Sequence, residues 1–257
     1  MIRNTPDFSV RLAQDDADLR AAQALRYRVF VQELGGGGAM VDHEAGLERD
    51  RFDPFFDHLL LFDHARDTDP VVGVYRVLRD DQAERAGQFY SDDEYDLSAL
   101  RATGRRLMEL GRSCLHEDYR GGTAMMHLWQ GLVEYVQAHG IEVLFGVASF
   151  HGTDATALAQ PLSLLYHKHL APDELRVRAR DAHRQEMNLL PPDQIDRKAA
   201  MLQTPALIKA YLRLGGCVGD GAWIDHAFNT TDVCLVMDTD RMNARQRQIY
   251  TGERAAT

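Results

Sequence analysis

A mixed α/β fold is predicted: a mostly antiparallel sheet flanked by helices, with helical additions towards the C-terminus. Three observations carry this. The apolar runs Asp57-His-Leu-Leu-Leu-Phe-Asp63 and Val71-Val-Gly-Val-Tyr-Arg-Val-Leu78 are separated by a short polar turn at 65–70 and read as a hairpin. One strand–helix–strand unit follows, over residues 107–150. A second hairpin, 221–228 with 232–238, closes the patterned part of the chain. Strands that run together around a single crossover unit build a mixed sheet, not a doubly wound one.

Each element has its own signal. Residues 8–12 read as a first strand. Asp15 or Asp16 caps a helix predicted to run to about Leu34, with Leu19, Ala22, Leu25, Val29 and Phe30 on its apolar side. Gly35 to Gly38 is a flexible loop, and without a following Gly-Lys-Ser/Thr it is no nucleotide P-loop. Residues 44–54 are acidic and irregular, and 80–105 are polar, a loop with short helical turns. The strand 107–116 leads into a helix 123–139 that stops at Gly140. Residues 141–150 form another apolar strand, 155–170 a helix, and 174–180 a strand. A helix after Pro192, interrupted near Thr204-Pro205, ends at Gly215-Gly216. Residues 1–245 are expected to form a single domain and 246–257 a polar, mobile tail.

Bulk properties narrow the function. The chain has 257 residues, 45% hydrophobic and 26% charged, enough for a substantial core. A formal net charge of −10 disfavours nucleic acid as a partner. The three cysteines, Cys114, Cys217 and Cys234, have neither disulfide-framework nor zinc spacing, which fits a reducing cytoplasm. No apolar stretch approaches the ~20 residues that span a bilayer, so a cytoplasmic protein is expected, with at most peripheral contact with an inner membrane.

The stretch Glu109-Leu-Gly-Arg112-Ser113-Cys114-Leu-His-Glu-Asp-Tyr-Arg120-Gly121-Gly122-Thr123 concentrates chemistry. A carboxylate and an arginine within a strand are costly unless paired or functional. A Gly-Gly turn before a helix presents backbone N–H groups to a phosphate. A donor bearing phosphate beside an acid/base residue is one reading. A buried ion pair followed by an ordinary turn is the other.

The chain resembles the GNAT acyltransferase superfamily through Arg120-Gly-Gly-Thr-Ala-Met, which keeps the arginine and glycines of its signature turn but not their spacing. It is similar to the acyl-homoserine lactone synthases at four separated places: Leu25-Arg26-Tyr-Arg-Val-Phe30, Glu48-Arg-Asp50-Arg-Phe-Asp53, Arg76 within Gly73-Val-Tyr-Arg-Val, and Glu109-x-x-Arg112. The longer blocks 109–129, 144–150 and 207–233 look like the L-ornithine Nα-acyltransferases, over roughly residues 8–240. The segment 80–105 and the Gly35–Gly38 loop depart from the pattern.

That resemblance implies transfer of a 3-hydroxy fatty acyl group from acyl carrier protein to the α-amine of L-ornithine, giving lyso-ornithine lipid. No tightly bound cofactor and no metal is expected; the phosphopantetheine arm of the carrier is the donor. An attacking amine must be neutral, and with a pKa of ~7.7–8.0 it needs only a mild base. Glu109 is the candidate, directly or through a water, its carboxyl raised by a partly apolar cleft. Arg112 either fixes Glu109 or contacts the donor. A backbone N–H at a bulge in the strand would hold the oxyanion. Ser113, Cys114, Arg120, Gly121, Gly122 and Thr123 would contact the donor. Arg26 and Arg76 suit the acceptor's carboxylate, and Glu48, Asp50, Asp53 and Asp225 its distal ammonium, although some of these charges order an N-terminal lid instead.

Because carrier proteins are acidic and so is this chain, docking needs a local basic patch; Arg101, Arg105, Arg106, Lys168, Arg176, Arg178 and Arg180 are candidates. Cys114, His167 and His169 read as structural, as do Met125, Met126 and Trp129, which pack a helix on the sheet. The run 144–150, with Phe89 or Leu164-Leu165, reads as core or as the wall of an acyl tunnel. Other readings are an acyl-homoserine lactone synthase, an acyltransferase for another amino acid, and an inactive acyl-carrier- or lipid-binding regulator.

Overall fold

A computed structural model describes residues 5–39 and 41–242. Its first elements are β1 (Phe8–Leu12), α1 (Asp16–Arg26), a π-helical stretch (Tyr27–Glu33), β2 (Val41–Asp42), β3 (Leu47–Glu48), β4 (Asp57–Asp63), β5 (Val71–Arg79), α2 (Asp80–Ala86), β6 (Tyr95–Asp96) and α3 (Ser98–Ala102). There follow β7 (Leu107–Leu115), α4 (Ala124–His139), β8 (Val143–His151), α5 (Ala159–His169), β9 (Arg178–Ala179), β10 (Arg184–Gln185), α6 (Arg197–Gln203), α7 (Ala206–Leu214), β11 (Cys217–Val218), β12 (Ala222–Asp225) and β13 (Thr230–Asp238). The class is the predicted one, mixed α/β with mostly antiparallel pairing. The tail predicted at 246–257 lies outside the described residues. Among the described residues no helix is long and apolar enough to cross a membrane.

The chain forms two compact units. Among the described residues one comprises 5–39, 41–86 and 110–140, and the other comprises 87–109 and 141–242.

In the first unit β1, β4 and β5 pair antiparallel, with His58 of β4 opposite Arg76 of β5. Strand β4 reads as a near-continuous apolar run because both its faces are covered. Leu60 and Phe62 pack with Ala22 and Leu25 of α1, with Val29 of the π-helical stretch and with Cys114. The intervening Leu59 lies against α4 at Gly131. Asp15 caps α1 by accepting from the Asp18 N–H at 2.9 Å, as its sequence position predicts. The predicted helix to Leu34 does not stay α-helical: from Tyr27 it widens to π geometry, with Leu34 N–H bonding Val29 O at 3.2 Å.

Gly131 lets α4 lie close on the sheet. A Cβ there would stand 2.5 Å from Val10 Cγ1. Gly131→Val should therefore destabilise by about 1–3 kcal/mol through overpacking, seen as a lower urea midpoint with an unchanged slope. Met126, expected to pack that helix on the sheet, is instead 51% exposed, while Trp129 is buried.

In the second unit the start of β7 pairs parallel with β8, Leu107 opposite Val143. Strand β8 pairs antiparallel with β13 along its whole length, and β12 adds to β13 as the predicted hairpin. Of the predicted strand 174–180 only Arg178–Ala179 forms; Asp173–Leu175 is a 3-10 turn. Phe89 packs edge-on against Phe145 at 5.0 Å, and Leu164 and Leu165 are buried, so these side chains are core.

Candidate functional site

The charged residues of the first unit converge. Arg26 lies on the same face of α1 and its π-helical continuation as the core residues Ala22, Leu25 and Val29, so the helix that builds the core also buries the guanidinium. Its Nε donates to Glu48, and its Nη1 donates to Asp53 Oδ1 at 2.7 Å. Arg76 donates through Nη1 to Asp50 Oδ2 at 2.7 Å and to Asp53 Oδ1 at 2.8 Å, and its guanidinium lies 4.1 Å over the Phe56 ring. Arg112 reaches Glu48 Oε1 at 3.2 Å and Asp50 Oδ2 at 3.5 Å. Three guanidinium groups thus meet three carboxylates. The residues assigned from sequence to the acceptor's carboxylate and to its ammonium are, in this conformation, partners of one another.

Burial grades the cluster. The side chains of Arg26, Arg76, Glu48 and Asp53 are at most 3% exposed, whereas those of Asp50 and Arg112 are 13% and 14% exposed. Burial works against the Glu48 carboxylate, but Arg112 and Arg26 outweigh it and hold the group at about 2. Asp53 is held well below the usual carboxylate range: Arg26 and Arg76 outweigh its desolvation.

Arg112 has φ of 51°, a left-handed backbone within β7. A non-glycine residue there stores about 1–3 kcal/mol, a cost that clusters at functional sites. It marks the irregularity expected in this strand.

His58 was not singled out in the sequence, where its only signal is a histidine inside an apolar strand. Its Nε2 lies 3.0 Å from Asp53 O, and among the described residues Nδ1 has no partner. Burial pushes its imidazole down from 6.5 to about 4. Because the folded value is the lower one, the unfolded chain takes up the proton first as pH falls. His58's contribution is therefore complete above pH 6.5 and is lost between about 6.5 and about 4, some 2.5 units or about 3 kcal/mol. His58→Gln should flatten the dependence of urea midpoint on pH across that window.

Glu109 belongs to the second unit and is buried. It was expected to sit in a partly apolar cleft. Instead its oxygens accept from Tyr90 N–H and Ser91 N–H, each at 2.7 Å, and from the Ser91 hydroxyl. A buried carboxylate needs such donors, and the segment Tyr90–Asp93 supplies them by turning its first amides towards β7. Sequence reasoning missed Ser91, which lies in a stretch legible only as polar loop. Asp225 accepts from Ala227 N–H at 2.8 Å and Phe228 N–H at 3.0 Å, closing the turn after β12.

Of the donor candidates, Gly121 has φ of 77°, and Thr123 precedes α4 without a side-chain cap. Arg120 folds back on Leu115 O at 3.0 Å and pairs with Glu33 at 2.8 Å. Ser113 Oγ is buried and has no hydrogen-bond partner among the described residues. Cys114 is a correction: its side chain packs in the core with Leu25 and Val29 instead of facing a donor, and burial pushes its thiol up to about 12. Cys114→Ala should leave turnover within about twofold while costing about 1 kcal/mol of stability. A tenfold loss of turnover from a folded variant would reinstate a thiol role.

Several basic residues expected to form a docking patch are matched locally. Arg101 pairs with Asp92 at 2.5 Å, Arg105 with Asp238 at 2.7 Å and Arg176 with Asp173 at 2.6 Å. Among the described residues no group of three or more His, Cys, Asp or Glu is arranged to hold a metal.

The model of the acetyltransferase (GNAT) domain matches residues 25–130, which include every member of the charge cluster and Glu109. The chain is 58% identical to the L-ornithine N(alpha)-acyltransferase of Rhodobacter capsulatus, over 95% of both chains. It is 44% identical to the protein of the same name from Brucella abortus, over 96% of this chain and 89% of that one. Among solved structures, FeeM, an N-acyl amino acid synthase from uncultured soil microbes, superposes with a TM-score of 0.53 at 12% identity, covering 92% and 93% of the two chains. The acyl-homoserine lactone synthase LasI superposes with a TM-score of 0.53 at 14% identity, covering 98% and 99%. At such identities these two structures speak for the fold alone.

Proposed function

Because the chain belongs to the L-ornithine Nα-acyltransferases, we propose that it moves a 3-hydroxy fatty acyl group from acyl carrier protein to the α-amine of L-ornithine, giving lyso-ornithine lipid. The observation that carries this reading is identity of 58% across 95% of both chains, too extended to reflect a shared fold alone.

The chemistry is direct transfer. The neutral α-amine attacks the thioester carbonyl, a C–N bond forms, and the C–S bond breaks with release of the carrier's thiol. The proton lost by nitrogen passes to Glu109 and from there to the departing sulfur, which leaves as the thiol; the Ser91 hydroxyl, which already donates to that carboxylate, offers a relay. A backbone N–H at the Arg112 irregularity steadies the oxyanion. The turn Arg120–Thr123 and the first amides of α4 receive the single phosphodiester of the pantetheine arm. No covalent enzyme intermediate is required, in keeping with the buried, high-pKa thiol of Cys114. The cluster of Arg26, Glu48, Asp50, Asp53, Arg76 and Arg112 organises the acceptor side.

The decisive assay incubates purified protein with 3-hydroxyacyl carrier protein and a panel of amino acids, reading free thiol and product mass. Thiol release that depends on ornithine, with the matching N-acyl product, establishes the reaction. Release with another amino acid or with S-adenosylmethionine moves the acceptor. No release from a folded protein that still binds the donor would overturn the enzyme reading.

A further inference from the structure

Resting on the reading of the chain as an amino-acid N-acyltransferase, we propose that Asp50 is an internal stand-in for the acceptor's carboxylate. Its side chain occupies a cradle between Arg76 and Arg112 and is displaced when the amino acid binds. This reassigns Asp50 from the acceptor's ammonium to its carboxylate.

The three carboxylates of the cluster are not equivalent. Glu48 and Asp53 are 2% and 3% exposed. Each is tied to two arginines, and Asp53 also accepts from Gln23 Nε2 at 2.9 Å. Removing either would strand buried charge. Asp50 is the carboxylate on the solvent side. One oxygen, Oδ2, stands between Arg76 Nη1 at 2.7 Å and Arg112 Nη2 at 3.5 Å, the latter at the outer limit of a hydrogen bond. The other oxygen accepts from Phe52 N–H at 2.9 Å, a turn bond within its own loop. A free carboxylate reproduces the first two contacts, and the third is cheap to exchange with water.

The receiving groups are already held in place. Arg76 is fixed by Asp53 and the Phe56 ring, and Arg112 by Glu48. Neither depends on Asp50 for its position. Charge balance also favours exchange. Three guanidinium groups already face three carboxylates, so a fourth would enter an electrically satisfied site. One carboxylate in for one out keeps the balance.

Two measurements on the full chain test this. In the first, Asp50→Ala and Asp50→Asn are unfolded with urea in sodium acetate and in sodium chloride at equal ionic strength. Acetate should raise the midpoint of Asp50→Ala and leave the wild-type midpoint unchanged, because only the variant has a vacated cradle; equal effects on both would overturn the proposal. In the second, KM is measured for ornithine, for norvaline, which lacks the distal amine, and for ornithinamide, which lacks the carboxylate charge. Removing an internal competitor should lower KM for ornithine and for norvaline alike by about three- to tenfold, leaving ornithinamide unchanged. A rise in KM for ornithine with norvaline unaffected would place Asp50 at the distal ammonium and overturn the proposal. So would an equal change for all three acceptors, which marks mere structural support; Asp50→Asn, which keeps the side chain's shape, guards against misfolding. Failure of the wild-type protein to use ornithine would sink the acceptor assignment, and the acetate comparison would still decide whether the cradle takes a carboxylate.

Discussion

Glu109→Gln is expected to lower turnover by about 100-fold to 10,000-fold, the range a positioned base contributes, while donor binding survives. The expected fall has two sources that the geometry separates. Glutamine has no basic oxygen to take the proton from the attacking amine. It also turns an NH₂ group towards Tyr90 N–H or Ser91 N–H, setting donor against donor where the carboxylate accepted both at 2.7 Å. The second effect costs about 1–3 kcal/mol of stability and would show in a urea titration. Ser91→Ala keeps both backbone amides and removes only the hydroxyl that donates to Glu109. A drop in kcat with little change in stability for Ser91→Ala would support the relay. If folded Glu109→Gln turned over at the wild-type rate, the carboxylate would serve only to pin residues 90 and 91 to β7.

What the sequence disclosed and what it hid follow a physical division. The β4–β5 hairpin was legible because its hydrophobic runs and polar turn are local signals. The start of α1 was legible because Asp15 is a local cap. The π-helical geometry from Tyr27 was not, because the same spacing of Val29 and Phe30 satisfies an α-helix equally well. Strand β10 exists only because the distant β12 returns to pair with it, and β2 and β3, paired with each other across a short turn, are too brief for any hydrophobic alternation to mark them. The candidate site divides in the same way. Arg26, Glu48, Asp50, Asp53, Arg76 and Arg112 were found by their motifs. Their mutual pairing was hidden, because it joins residues up to 64 positions apart. The amides of Tyr90 and Ser91 left no trace, since backbone N–H groups carry no side-chain signature.

Arg26→Met is the substitution expected to destabilise the fold most, by about 3–5 kcal/mol, the usual cost of removing one partner from a buried ion pair. Methionine can fill much of the space, so packing loss is secondary. The cost comes from the charges left behind. Of its arginines Glu48 would retain Arg112 at 3.2 Å and Asp53 would retain Arg76 at 2.8 Å, with Gln23 Nε2 as a neutral donor at 2.9 Å, while both carboxylates stay almost wholly buried. Each carboxylate then titrates closer to its ordinary value, so the variant should lose stability at a higher pH than the wild-type protein, where Glu48 stays ionised down to about 2. Arg241→Met is the fitting control. It pairs with Glu174 at 2.9 Å and more loosely with Asp238 at 3.4 Å, yet its own side chain is 56% exposed, so solvent screens both contacts and the midpoint should change little. Urea titrations of the three proteins at pH 7 and pH 5 test the argument. A loss below about 1 kcal/mol for Arg26→Met would mean that the cluster repacks around its remaining charges and that burial, not pairing, sets its stability.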